Sequence, residues 1–149
     1  MTTDSNDSPM LPAVVRDEAG AAFFDAAARG ELLVKKGPGG VVLGPEVRTC
    51  PVTGSGELDA VSASGRATLV SWATVHRAPL PILADAVPYV TALVELDEGP
   101  WLLVRLIDVD TADLRVGLPL LARYVTGRGA DGEAAGETLP VFAPDPGRR

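Results

Sequence analysis

Sulfur and imidazole are scarce in this chain, whose 149 residues include one cysteine, Cys50, and one histidine, His76. A single cysteine excludes an intrachain disulfide framework and is typical of proteins from a reducing compartment. A structural zinc site needs four nitrogen or sulfur ligands in a tetrahedron. The sequence therefore predicts a chain without a disulfide and without bound zinc.

Aromatic residues and positive charge are also low. Aromatic residues make up 5% of the chain, and 20 acidic residues against 13 basic ones give a formal charge of −7. Single-stranded nucleic acid is bound through a basic groove and exposed aromatic side chains, and phosphate neutralisation supplies most of the affinity. We therefore expect no nucleic-acid partner.

Long apolar runs and the common catalytic motifs are missing too. No run approaches the ~20 apolar residues of a membrane helix, so no membrane partner is expected. The acidic start MTTDSNDSPM has no basic or apolar region typical of a signal peptide, which predicts a cytoplasmic protein. The chain contains no phosphate loop, dinucleotide fingerprint or Gly-x-Ser-x-Gly elbow.

The N-terminal part of the sequence predicts a flexible arm over residues 1–16, followed by a helix over residues 17–29. Asp17 and Glu18 lie in the first turn of that helix, and its middle is rich in alanine. Phe23 and Phe24 allow two interpretations: they pack on their own domain, or they form a helix that docks on a partner.

The segment KKGPGGVVLGPEVRTCPVTGS, residues 35–55, contains two clusters of turn residues around a short β-like run. Chains of this shape usually close around a metal ion, with a pair of cysteines in each turn. Here the first turn is Gly37-Pro38-Gly39-Gly40 and the second begins with Cys50-Pro51. Three of the four ligand positions therefore hold no sulfur.

From residue 57 onward the pattern is β. The run GRATLVSWATVH predicts a long strand with Leu69, Ser71, Ala73 and Val75 on one face, and a proline-rich loop follows it over residues 77–88. Two β-rich runs, residues 89–96 and 101–107, flank a four-residue connection and predict a hairpin. Asp110 is placed to cap one turn of helix before the next strand.

Residues 126–138 are glycine-rich and polar and predict a mobile loop, with a last short strand at 139–144 and a disordered tail at 145–149. The predicted fold is mainly β: an N-terminal helix and a metal-free ribbon over residues 17–56, then a five-stranded OB-fold barrel over residues 57–144.

Together, the helix, the two turns and the runs GRATLVSWATVHRAP, VPYVTALVELDEGP and DLRVGLPL resemble the DUF35 family over roughly residues 18–144. In that family a rubredoxin-like zinc ribbon precedes an OB-fold. The resemblance implies a non-catalytic subunit, two copies of which flank a thiolase-like dimer that acts on acyl-CoA thioesters. The family pattern has Cys-x-x-Cys in both knuckles, so this ribbon is degenerate, and packing has to replace the metal.

The favoured reaction of the complex, by family analogy alone, is retro-aldol cleavage of a steroid side-chain CoA thioester. An acyltransferase or condensing partner remains an alternative, as does a stand-alone CoA- or lipid-binding module. No catalytic residue is expected in this chain. His76 at the end of a strand is more often structural than a general base.

Four residues are candidates for positions near the partner or the CoA moiety: Trp72, His76, Arg77 and Pro79. Binding of CoA by an acidic chain requires local cations, and the available ones are Lys35, Lys36, Arg66, Arg77 and Arg105. The sequence alone does not show whether these cations cluster.

Overall fold

The computed structural model describes residues 11–129 and 133–148. It contains one α-helix, α1 (Ala21–Ala28), and eight strands in the described residues. The strands are β1 (Leu32–Lys36), β2 (Val42–Leu43), β3 (Asp59–Ala63), β4 (Arg66–Val75), β5 (Tyr89–Leu96), β6 (Trp101–Leu106), β7 (Pro119–Arg128) and β8 (Ala134–Pro144). None of the helices in this part of the chain is long and apolar enough to cross a membrane.

The last five strands close into a barrel in the order β4-β5-β6-β8-β7. All neighbouring pairs are antiparallel except β6 and β8, which run parallel. A short 3₁₀ helix, Thr111–Asp113, lies between the third and fourth barrel strands. The Asp110 carboxylate caps it by accepting a hydrogen bond of 2.9 Å from the Ala112 N–H. The predicted OB-fold with an N-terminal helix is thus confirmed.

The predicted hairpin is also confirmed, because residues 97–100 connect β5 to β6. The Leu96 N–H donates to the Pro100 carbonyl at 2.9 Å, and the Gly99 N–H donates back to the Leu96 carbonyl at 2.8 Å. Gly99 has a φ of 117°, a conformation that residues with a Cβ rarely adopt. The turn therefore sets the register of both strands.

The core of the barrel is formed by apolar side chains from all five barrel strands. Ala67 and Leu69 of β4, Val94 of β5, Leu106 of β6, Leu120 of β7 and Phe142 of β8 are all buried. Phe23 of α1 packs against this core, together with Leu32 and Val34 of β1. The helix and the small sheet are therefore joined to the barrel through apolar contacts.

The faces of β4 differ from the predicted simple alternation. The register against β5 shifts between Leu69 and Ser71, as at a β-bulge. Beyond the bulge Trp72 lies opposite buried Ala92, and Thr74 lies opposite buried Val90. Directly opposed residues share a face, so Trp72 and Thr74 continue the row of Leu69, and Ser71 and Ala73 lie on the other face. The prediction that grouped Leu69 with Ser71 and Ala73 is wrong.

Two segment boundaries also differ from the sequence prediction. The helix begins at Ala21, after a turn in which the Asp17 carboxylate accepts a hydrogen bond from the Gly20 N–H at 2.7 Å. Strand β3 pairs along its length with β1, so it belongs to the small sheet β2-β1-β3 and not to a barrel that starts at residue 57. Long-range strand pairing, which local sequence patterns do not report, decides this membership.

The predicted mobile loop over residues 126–138 is wrong for the described residues, because Thr126 pairs with Thr138 and Arg128 with Ala134 in the β7–β8 ladder. The described residues at both ends of the chain also contact the barrel. Pro12 forms a parallel bridge with Arg128, and the Arg148 guanidinium donates to the Ala67 carbonyl at 3.0 Å. Residues 1–10 of the predicted arm and residue 149 of the predicted tail lie outside the described residues.

Candidate functional site

A cleft of about 670 Å³ lies at the end of the barrel where β4 and β6 end and β5 begins. We call it the loop-end cleft. Its chemically active lining residues are Thr74, His76, Tyr89, Arg105, Asp108 and Asp110. The strand register brings them together, since Thr74 pairs with Val90 and Val90 pairs with Leu106 in adjacent strands.

Arg105 and Tyr89 form the most specific contact in the loop-end cleft. The central carbon of the Arg105 guanidinium lies 4.0 Å from the centre of the Tyr89 ring, which is the geometry of a cation–π interaction. Burial lowers the pKa of Arg105, and its interaction with Tyr89 acts in the opposite direction. No single sequence motif marks this pair, although hairpin pairing of Thr91 with Arg105 places Tyr89 on the diagonal from Arg105.

The acidic side of the cleft is anchored to a neighbouring strand. Asp108 is the one residue other than glycine with a positive φ, 53°, among those that the structure describes. Its carboxylate accepts a hydrogen bond from the Arg123 guanidinium of β7. Arg105 and His76 thus line the same cleft as Asp108 and Asp110, so the cleft is mixed in charge and not uniformly basic.

The four residues predicted to lie near the partner or CoA occupy this end of the barrel to different degrees. His76 lines the loop-end cleft, and Arg77 and Pro79 follow it as exposed residues of the proline-rich loop. Trp72, 39% exposed, lies two residues before Thr74 in β4 and therefore further from the cleft end of the strand. The same loop exposes Leu80 and Ile82 by more than half, so it presents an apolar surface.

Phe23 and Phe24 border a second cleft, of about 580 Å³, between α1 and the ribbon. We call it the helix–ribbon cleft. The two rings are arranged edge to face, with centres 5.5 Å apart. Phe23 also packs against the barrel core, whereas Phe24 faces the cleft with Leu58, Lys35 and Arg48. The Lys35 ammonium donates to the Val47 carbonyl at 2.6 Å.

The five candidate cations do not gather at one site. Arg105 lines the loop-end cleft and Lys35 lines the helix–ribbon cleft. Arg66 lies at the opposite end of β4 from His76, next to the hairpin turn, where its carbonyl accepts from the Asp97 N–H. Arg105, Lys35 and Arg66 therefore lie at three separate places on the surface.

Backbone hydrogen bonds close a tight turn of the ribbon at Cys50. The Gly54 N–H donates to the Cys50 carbonyl at 2.7 Å, and the Cys50 N–H donates to the Ser55 carbonyl at 2.8 Å. Hydrogen bonds from the Thr53 hydroxyl and from the Thr53 and Val52 N–H groups lower the pKa of the buried Cys50 thiol. A Cβ placed on Gly37 would lie 3.4 Å from this sulfur, so the first turn still faces the second.

The zinc ion of the family ribbon does not fit these residues. No group of three or more His, Cys, Asp or Glu side chains able to hold a metal occurs within the described ranges. A tetrahedral zinc site requires four such ligands, and the knuckles supply the Cys50 thiol alone. Strand pairing holds the ribbon together instead, because β1 pairs with both β2 and β3.

Comparisons with known proteins agree with this architecture. The family model for the C-terminal OB-fold domain of ChsH2 matches residues 60–125. The solved structure of an Ltp2-ChsH2(DUF35) aldolase is similar with a TM-score of 0.69 and 33% identity, covering 90% of this chain and 98% of that chain.

Relatives show the same similarity at the sequence level. A DUF35 domain-containing scaffold protein of Methanothermobacter thermautotrophicus is 30% identical, over 62% of this chain and 71% of its own length. The probable enoyl-CoA hydratase alpha subunit of Thermomonospora curvata is 35% identical over 134 residues. That match covers 89% of this chain and 39% of the subunit, so the chain spans about two fifths of the length of this relative.

The closed OB barrel, the helix and ribbon before it, and the similarity to these relatives together define the class of protein. The chain belongs to the DUF35 family, and its closed barrel is the OB-fold domain of that family.

Proposed function

We propose that this chain is a non-catalytic accessory subunit of a thiolase-like enzyme that acts on acyl-CoA thioesters. The observation that carries the proposal is the match, at 33% identity over 98% of its length, to the chain of an Ltp2-ChsH2(DUF35) aldolase. Relatives named as DUF35 scaffold proteins support a role in assembly.

The favoured reaction of the complex is retro-aldol cleavage of a steroid side-chain CoA thioester, in an assembly of two copies of this chain with two thiolase-like subunits. One relative, 35% identical over 119 residues, is the 3-oxo-4,17-pregnadiene-20-carboxyl-CoA hydratase alpha subunit of Mycobacterium tuberculosis. Its substrate has a steroid skeleton and a CoA thioester, which is the chemistry that the favoured reaction requires.

Within this proposal the loop-end cleft and its proline-rich loop form the wall beside the partner's active site. Trp72, Leu80 and Ile82 supply exposed apolar surface of the kind that mediates protein contacts. His76 and Arg105 supply polar and cationic groups for the CoA thioester. The partner supplies the nucleophile and the proton-transfer groups.

Mixing the purified chain with the Ltp2 subunit of the matched aldolase tests the proposal. We expect a complex on size-exclusion chromatography with light scattering, with two copies of each chain. Ile82→Asp should weaken binding roughly tenfold or more by placing a charge in an apolar contact. Val15→Asp, at a residue that is 88% exposed beside β8, is the matched control and should bind normally. The absence of any complex would overturn the proposal.

A stand-alone CoA-binding module is the second candidate, and the helix–ribbon cleft favours it. That cleft combines the exposed side of Phe24 with Lys35 and Arg48, groups suited to an adenine ring and phosphates. Isothermal titration with CoA distinguishes the candidates. Tight binding by the chain alone, lost in Arg48→Ala and accompanied by no complex with the Ltp2 subunit, would favour the module.

A further inference from the structure

Strand β6 has an exposed edge. It pairs with β5 at every position from Trp101 to Leu106, but with β8 only where Leu106 lies beside Phe142. The Ile107 N–H donates to the Phe142 carbonyl at 2.8 Å, and the two strands diverge before that point. The first half of β6 therefore borders a cleft of about 340 Å³ instead of a neighbouring strand.

The register decides which backbone groups point into this gap. Leu96 and Pro100 are a hydrogen-bonded pair, and in an antiparallel ladder bonded and non-bonded pairs alternate. Leu102 and Val104 are therefore bonded to β5, whereas the N–H and C=O of Leu103 point away from it. Leu103 also has no registered partner in β8, because the described pairing of β6 with β8 is limited to Leu106 and Phe142.

The exposed side chains at the centre of this edge are apolar, and carboxylates lie next to them. Leu103 is 79% exposed and Trp101 is 53% exposed. The Trp101 indole N–H donates to the Glu95 carboxylate at 2.7 Å, and Glu46 lines the adjacent cleft. Natural proteins usually protect an open edge with charge or proline, so an apolar residue at its centre marks a contact surface.

We propose that the β6 edge at Leu103 receives an extended segment of the partner protein, which adds a strand to the sheet. The segment carries an apolar side chain that packs on Leu103 and a lysine or arginine that faces Glu46 or Glu95. Backbone hydrogen bonds to Leu103 supply affinity, and the flanking cation supplies selectivity. A second copy of this chain is disfavoured as the occupant, because its formal charge of −7 repels an edge bordered by carboxylates.

The identity of the partner rests on the proposed function, but the edge itself is testable with a model peptide. The probe is a short peptide of alternating valine and lysine, added to the ¹⁵N-labelled full chain. We expect saturable shifts of the Leu103 amide and the Trp101 indole signals, and slower hydrogen exchange at Leu103. The same peptide with glutamate in place of lysine should bind roughly tenfold more weakly or not at all.

Leu103→Pro removes the outward N–H without removing a bond to β5, since proline is tolerated where the N–H faces away from the ladder. It should weaken the lysine peptide roughly tenfold, as should Leu103→Lys, which keeps the backbone and adds a like charge. Val116→Lys, at an exposed loop residue, is the control and should bind normally.

Undiminished binding in both Leu103 variants, or equal binding of the two peptides, would overturn the edge proposal. Failure of the Ltp2 subunit to bind the chain overturns the proposed function instead, so the two failures are distinguishable.

Discussion

The Arg16 guanidinium and the Glu137 carboxylate, 121 residues apart in the sequence, form two parallel hydrogen bonds. Nε donates to Oε1 at 2.6 Å and Nη2 donates to Oε2 at 2.9 Å. Arg16 also donates through Nη1 to Asp25 of α1 at 2.7 Å. One side chain thus connects the N-terminal segment, the helix and β8.

This pair predicts a pH dependence of stability. The hydrogen bonds from Arg16 lower the pKa of Glu137 in the folded chain, so the charged carboxylate stabilises the fold above its unfolded pKa of about 4.3. That stabilisation is lost as the pH falls through the lower, folded value. The melting temperature of Glu137→Gln should therefore lie below that of the parent chain at pH 7, and the difference should shrink in acid.

Glu18→Gln is the matched control, because exposed Glu18 makes no ion pair with another described residue. A difference between Glu137→Gln and the parent chain that stays constant from neutral pH down to strong acid would contradict the linkage.

The contact between Arg105 and Tyr89 predicts a measurable coupling energy. A double-mutant cycle with Arg105→Met and Tyr89→Leu should give about 0.5–1 kcal/mol in urea unfolding, since the pair is partly exposed. Tyr89→Phe keeps the ring and should retain most of that coupling. A coupling energy near zero would show that the cation–π contact does not stabilise the fold.

The loss of three knuckle cysteines predicts that the protein binds no zinc. It also predicts that restoring those cysteines creates a zinc site. Elemental analysis of the purified chain should find far less than one zinc per chain, because Cys50 is the one thiol present. The variant Gly37→Cys, Gly40→Cys, Thr53→Cys rebuilds both Cys-x-x-Cys pairs and should bind one zinc. Gly40 has a φ of 84°, so cysteine there costs about 1–2 kcal/mol of strain. One zinc per parent chain would contradict the prediction.

The close approach of Pro12 to Gly127 in β7 predicts that a larger residue at position 127 destabilises the fold. A Cβ at this position would lie 2.9 Å from the Pro12 carbonyl carbon, closer than such atoms approach in proteins. Gly127→Ala should therefore displace residues 11–14 and cost about 1–3 kcal/mol. Limited proteolysis and urea unfolding check this, and Gly56→Ala is the control because its nearest neighbour would be 3.9 Å away. Normal stability and protease resistance in Gly127→Ala would contradict it.

The features that the sequence predicted well depend on neighbouring residues. The hairpin turn at residues 97–100 and the Asp110 cap are both local patterns, and the structure contains each of them. The resemblance to DUF35, carried by runs in the same segments, was confirmed by the comparisons.

The features that it missed depend on residues far apart in the chain. Residues 126–138 have the composition of a loop, yet their glycines permit the close approach of the N-terminal segment, where the Glu137 N–H donates to the Val14 carbonyl at 2.8 Å. Likewise, the bulge at Val70 reassigns Trp72 to the row of Leu69 only because β4 pairs with β5 in a shifted register.

The sequence by itself determined the order of the helix and barrel strands, the hairpin turn and the loss of three knuckle cysteines, because propensity, turn chemistry and ligand identity belong to individual residues. The tertiary structure decided which sheet β3 joins, where Arg105 meets Tyr89 and that the edge of β6 at Leu103 stays open. These outcomes depend on strand register and barrel closure, which many distant residues set together.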